Sequence, residues 1–146
     1  MCIRDRPGTA HSTLSALGAM HGHRPTMPLA AVPSTMQAHW PPLLVIHGDA
    51  DAVVSPLNGH AAAQSWARAA GARAGPARSV QRGKRYPMSV TDFKRKGSTV
   101  ATLVAVDGLA HAWSGGAASK AFSDGQGPDA SRMAWAFAAR QFRSEA

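Results

Sequence analysis

Cysteine is almost absent from this 146-residue sequence, with Cys2 as the only one. An internal disulfide is excluded, and with it a small fold stapled by disulfides. No apolar run approaches the roughly 18 residues of a membrane-spanning helix, so no membrane partner is expected. Acidic side chains are scarce: 8 Asp and Glu stand against 16 Lys and Arg, a net charge of +8. The one pair with chelating spacing, His21-Gly22-His23, has no Cys, Asp or Glu cluster beside it to complete the three or four ligands a zinc site needs. No metal and no cofactor is expected. Aromatic residues make up 6% of the chain, and within the basic stretch 68–96 they are not interleaved with the cations as base-stacking platforms are.

Hydrophobic residues make up 45%, near the globular average, and the length suffices for one domain with a core. Residues 1–6 (MCIRDR) read as a non-native leader translated from adapter sequence, and carry no structural meaning. Residues 7–146 read as part of one domain whose true N-terminus lies upstream. Many basic residues fall within 68–96, including Arg82, Lys84, Arg85, Lys94, Arg95 and Lys96. They form either a patch for nucleic acid or an acidic polymer, or a solvated helix end and hairpin. The second reading is preferred, because only Tyr86 and Phe93 flank the cations and both suit strand positions. No nucleic-acid partner is expected.

Residues 13–20 (TLSALGAM) predict a short helix capped by Ser12 or Thr13. Pro25, Pro28 and Pro33 break the following stretch into loop. After Pro41-Pro42, the run Leu43-Leu44-Val45-Ile46 suits a parallel strand buried on both faces. Ser55-Pro56 marks a helix start, Ser as N-cap and Pro at the first helical position. Ala62, Trp66 and Ala69 form its expected buried stripe. Tyr86, Met88 and Val90 alternate, Lys96-Gly97 supplies a turn, and residues 99–106 (TVATLVAV) return as a strand, together a hairpin. Pro87 marks the first arm as an edge or an irregular strand. A glycine-rich loop over 108–128 leads to a helix from about Asp129-Ala130-Ser131. Its faces are Met133 with Phe137, and Trp135 with Ala138 and Phe142.

Two motifs follow predicted strands: His47-Gly48-Asp49-Ala50-Asp51-Ala52-Val53-Val54 and Gly108-Leu109-Ala110-His111-Ala112-Trp113-Ser114-Gly115-Gly116. Strands with helices on their faces form an α/β layer, and such sheets bind ligands at the carboxyl ends of their strands. An acid after one strand and a histidine after a later one match the second and third members of a Ser…Asp…His triad on an α/β-hydrolase fold. In that chemistry the imidazole takes the serine proton and returns it to the leaving group, while the carboxylate orients the imidazole. The candidate acid is Asp51 and the candidate base His111. They can meet if their strands are neighbours, since paired strands lie ~4.8 Å apart. No serine sits in a G-x-S-x-G elbow. The expected fold is therefore a partial α/β-hydrolase fold: the C-terminal strands and helices of a mostly parallel sheet.

The runs HGDADAVVSPLNG, VDGLAHAWSGG and FSDGQGPDASRMAWAF resemble the C-terminal third of the polyhydroxybutyrate-depolymerase-like esterases, relatives of feruloyl and acetylxylan esterases. GTAHSTLSALGAMHGH looks like the segment between their nucleophile and their acid strand, so the resemblance covers roughly residues 7–145. It implies that Asp51 is the catalytic acid, that His111 is the base, and that Trp113-Ser114-Gly115-Gly116 continues the base loop. It implies a serine esterase acting on a hydroxyalkanoate polymer or oligomer, or on a related plant-wall ester, in the periplasm or outside the cell. The missing elbow and oxyanion-hole donors mean that this stretch alone cannot complete the triad and is expected to be inactive by itself.

The neighbouring residues have competing readings. Asp49 is an alternative acid or a brace for the turn; motif spacing favours Asp51. His47 reads as structural, its ring bonded near the strand end, and Asn58 as a brace for the helix after the acid turn. Trp113 either lines a substrate pocket or packs the loop. Ser114 and Ser131 are the nearest nucleophile candidates within the chain, and neither lies on an elbow. A non-catalytic basic binding module is the rival from another functional class.

Overall fold

Ser12 starts the first helix of the computed structural model, which describes residues 12–23 and 41–144. The leader at 1–6 and the loop with Pro25, Pro28 and Pro33 lie outside those residues. Helix α1 (Thr13–Met20) is closed by a capping box in which the Ser12 hydroxyl accepts from the Ser15 N–H and Ser15 answers the Ser12 N–H. The apolar run forms β1 (Leu43–Gly48). Helix α2 (Pro56–Ala69) begins as expected, with Ser55 accepting from the Leu57 N–H and Pro56 in the first turn.

Four further strands follow. They are β2 (Arg73–Ala74), β3 (Arg78–Val80), β4 (Met88–Arg95) and β5 (Ser98–Val106). The sheet order is β1-β5-β4-β2, with β3 also paired to β4. Only β1 and β5 run parallel; β4 is antiparallel to β5, β2 and β3. The expectation of a mostly parallel sheet is thus corrected: the described part is a mixed α/β fold with a mostly antiparallel sheet. The reason is local. Arg95 pairs with Ser98, and the two residues between, Lys96 and Gly97, both take positive φ (49° and 87°), as a tight hairpin turn matched to strand twist requires. Strands β2 and β3, the two short ones that precede β4, add antiparallel pairings on its other side. That strand is interior rather than an edge, and Pro87 stands just before it, where its missing N–H costs no ladder bond.

The two faces of β5 are covered by different helices. Ala101 and Leu103 pack with Phe93 against Ala63 and Ala67 of α2. Val104 and Val106 pack with Met88 and Leu109, flanked by Met133 of α3 (Ala130–Ser144). Strand β1 divides likewise, Leu43 and Val45 toward the α2 side, Leu44 and Ile46 toward the other. All four are half-buried, because among the described residues β1 has a neighbour on one side only.

The buried residues of α2 are Gly59, Ala63, Ser65, Ala67 and Ala69 rather than the row Ala62, Trp66 and Ala69. Only Ala69 of the expected set is fully buried; Ala62 and Trp66 are half-buried. Two apolar rows overlap on this alanine-rich helix, and the row of smallest side chains lets it lie closest to the sheet. Trp66 stays on the flank and donates Nε1–H to the Pro41 carbonyl. Of the two α3 faces, Phe137 is buried and Met133 half-buried, while Trp135 and Phe142 are exposed. The glycine-rich loop holds a small parallel pair, β6 (Trp113–Ser114) and β7 (Ser123–Asp124). Among the described residues no helix is long and apolar enough to cross a membrane.

Candidate active site

The parallel register of β1 and β5 sets the site. Gly48 pairs with Val106, so the two strands end level and their loops leave side by side. Backbone stitches hold the loops together. The Asp49 N–H donates to Val106 and the Ala50 N–H to Leu109. Asp49 Oδ1 accepts the Gly108 N–H at 2.6 Å. Asp49 is thus a brace between the two loops.

Asp51 and His111 meet across this junction. Asp51 Oδ2 lies 2.9 Å from His111 Nδ1. Its other oxygen, Oδ1, accepts the N–H groups of Val53 and Val54, both at 2.9 Å. The Asp51 side chain is 7% exposed and that of His111 28%. Burial pushes the carboxyl pKa up, but the Val54 N–H, the His111 imidazole and the Val53 N–H outweigh it, so the group titrates below its ordinary value. An ionised carboxylate can only accept, so His111 donates from Nδ1. Neutral imidazole then carries its free lone pair on Nε2, turned away from Asp51 and ready to take a proton.

His47 reaches the same carboxylate from the strand end. Its Nε2 lies 3.0 Å from the Val54 carbonyl and 3.4 Å from Asp51 Oδ2. A carbonyl accepts, so the His47 proton sits on Nε2 and holds the acid turn closed. Asn58 ties the turn outward, donating Nδ2–H to the Ala19 and Met20 carbonyls at the end of α1.

The base loop is latched beneath His111. Ser114, 3% exposed, donates its hydroxyl to the Pro128 carbonyl at 2.6 Å. It latches the loop to the residues before α3; Ser131 lies exposed on α3. Gly115 takes φ 76° and stands against Asp129, where a Cβ would lie 2.6 Å from its Cα. Arg85 closes the far side by donating to the Gly125 and Gly127 carbonyls. Trp113 is 55% exposed, so it does not serve the loop by packing inside it.

One residue of the site escaped sequence reasoning. The Phe122 ring meets the His111 ring edge-on, centroids 6.2 Å apart and planes at 78°, and is 76% exposed. Its backbone has φ 53°, a region costing a bulky residue on the order of 1 kcal/mol. Its carbonyl accepts the Trp113 N–H at 2.7 Å. The available signal was that Phe122 is the only aromatic residue between Gly115 and Pro128.

His21 and His23 stand with ring centroids 6.3 Å apart, and no cluster of three or more His, Cys, Asp or Glu able to hold a metal occurs among the described residues. No protein-family model matches the chain, and no curated protein matches it.

Proposed function

We propose that this chain carries the acid and the base of a serine-type carboxylic ester hydrolase, Asp51 orienting His111. The observation that supports this reading is the 2.9 Å contact between Asp51 Oδ2 and His111 Nδ1, made by residues 60 positions apart at the level ends of adjacent parallel strands. A serine hydroxyl attacks the ester carbonyl carbon and its proton passes to His111 Nε2. The bond to the alcohol oxygen then breaks as Nε2–H protonates that oxygen, leaving an acyl-enzyme. Water repeats the sequence and releases the acid. The ionised Asp51 stabilises the imidazolium formed in each half.

This reading requires a serine and oxyanion-hole donors that the two motifs themselves do not supply. The motif resemblance points to hydroxyalkanoate polymers or oligomers as substrates, with feruloyl- or acetylxylan-type esters as the alternative, and to an exported protein. The test is to sequence upstream of the Pro7 codon and express the extended frame. Hydrolysis of p-nitrophenyl butyrate is expected, and His111→Ala or Asp51→Asn should lower kcat by about a thousandfold or more. Full hydrolysis by both variants overturns the assignment.

A second reading, a module that binds an acidic polymer, is favoured by one observation. Nine Lys and Arg face a single Asp between residues 68 and 96, so this stretch carries the whole net charge. Arg73 and Lys94, both exposed, lie directly opposite each other on β2 and β4.

A further inference from the structure

We infer that Phe122 selects the alcohol portion of the ester, favouring alcohols that carry an aromatic or extended apolar group. The inference rests on the reading of Asp51 and His111 as an ester-hydrolase pair. A loop aromatic ordinarily turns inward to bury its ring. Phe122 does the opposite: the residue is 76% exposed, and its ring stands edge-on to the imidazole of His111, centroids 6.2 Å apart. The backbone enforces this. The parallel pairing of Trp113 with Ser123 and the Trp113 N–H on the Phe122 carbonyl hold the chain at positive φ, which turns the side chain out.

The side of the ester follows from the proton's path. Asp51 occupies Nδ1, so His111 hands its proton over from Nε2, and the acceptor is the alcohol oxygen. A group resting against that imidazole therefore lines the path of the alcohol rather than that of the acyl chain. An alcohol with a phenyl ring or several methylenes is long enough to reach Phe122; ethanol ends too soon.

Binding is tested first, on the 146-residue chain, by titrating benzyl alcohol and then ethanol while following backbone amide resonances. Benzyl alcohol is expected to shift His111, Trp113 and Phe122 in a saturable way, with ethanol leaving them in place at equal concentration. Phe122→Ala should weaken the benzyl alcohol response by about tenfold, with the amides of β5 unmoved as the check on folding. Phe122→Leu, which keeps apolar bulk without the ring, should fall between. Benzyl alcohol affinity within twofold of wild type in Phe122→Ala overturns the inference, as does a wild-type chain that shows no such response.

The second measurement compares benzyl butyrate with ethyl butyrate on the extended, serine-containing protein. Phe122→Ala is expected to raise KM for the benzyl ester about tenfold and to leave the ethyl ester within twofold; an equal loss on both esters overturns the inference. Failure of the hydrolase reading looks different, because benzyl alcohol would still bind through Phe122 while His111→Ala left hydrolysis unchanged.

Discussion

Gly48 and Leu109 meet backbone to backbone: a Cβ on Gly48 would run into the Leu109 carbonyl oxygen. One is the last residue of β1, the other the second residue past the Asp107 that follows β5. Their contact lets the acid loop and the base loop leave the sheet in register. Leu109 is itself buried, and its carbonyl accepts the Ala50 N–H, so it has no free direction in which to yield. Gly48→Ala is expected to cost about 2–3 kcal/mol. Gly18→Ala makes the contrast, since nothing lies within 4 Å of its Cβ position in α1. There the substitution should be neutral or stabilising by up to about 1 kcal/mol. Thermal melts of the two variants check both signs.

Ionisation of Asp51 couples the site to stability. Its carboxyl titrates below the ordinary 3.8 because the Val54, His111 and Val53 hydrogen bonds outweigh burial. A depressed folded-state pKa contributes stability that is present above the unfolded value and is lost as pH falls through the folded one. Asp51→Ala should cost about 2–3 kcal/mol at pH 7, the scale of hydrogen bonds to a buried charged acceptor. The cost should shrink below pH 3.8, where wild type begins to lose the same interactions. Urea melts of both proteins from pH 7 to pH 3 read this directly. A difference that grows on acidification would contradict the assigned direction.

The parts of this fold legible in the sequence were those set by short-range chemistry. Ser12 and Ser55 cap helices, Pro56 starts one, and Lys96-Gly97 turns a hairpin, because each needs only its immediate neighbours. The apolar run 43–46 was readable as a parallel strand because residues on both its faces pack. The antiparallel hairpin was readable, but the balance of the sheet was not: β2 and β3, which add two more antiparallel pairings to β4, are two and three residues long, too short for an alternation to show. Asp51 and His111 could be singled out by motif and strand position, whereas their contact depends on the register between β1 and β5. Phe122 could not be placed beside His111 at all. Nothing in its flanking residues announces a positive φ, which the pairing of β6 with β7 imposes from outside.

Ser114 anchors the loop that carries His111. Its hydroxyl is buried and donates to the Pro128 carbonyl, tying the start of the base loop to the residues before α3. Ser114→Ala removes the donor and leaves a buried carbonyl with one partner fewer. A cost of about 1–2 kcal/mol is expected, read in urea melts. Under the hydrolase reading, a fluorophosphonate should label the Ser114→Ala variant of the extended protein as fully as wild type, since that reading puts the reactive serine at another position. Loss of labelling with folding intact would make Ser114 the nucleophile and overturn the role given to it here.

The cationic edge separates the two functional readings. Arg73 and Lys94 face each other across the β2–β4 pair, and like charges directly opposite are unfavourable unless a counter-anion intervenes. Arg78 differs, since Asp92 pairs with it at 2.6 Å. Arg73, Lys94 and Lys96 would neutralise charges of a polyanion laid along this edge and release its condensed cations, so its affinity would fall with salt in proportion to the number released. The measurement is retention on heparin and affinity for a short duplex across a salt series. Arg73→Gln with Lys94→Gln should reduce the salt slope by about two, and His111→Ala should leave it unchanged. Under the hydrolase reading the double substitution leaves turnover of a neutral ester intact. Lys94 pairs with Thr99 at the start of β5 and Arg73 pairs with Lys94 in turn, at the opposite end of the sheet from Asp51 and His111, too far for screened charges to matter at physiological salt.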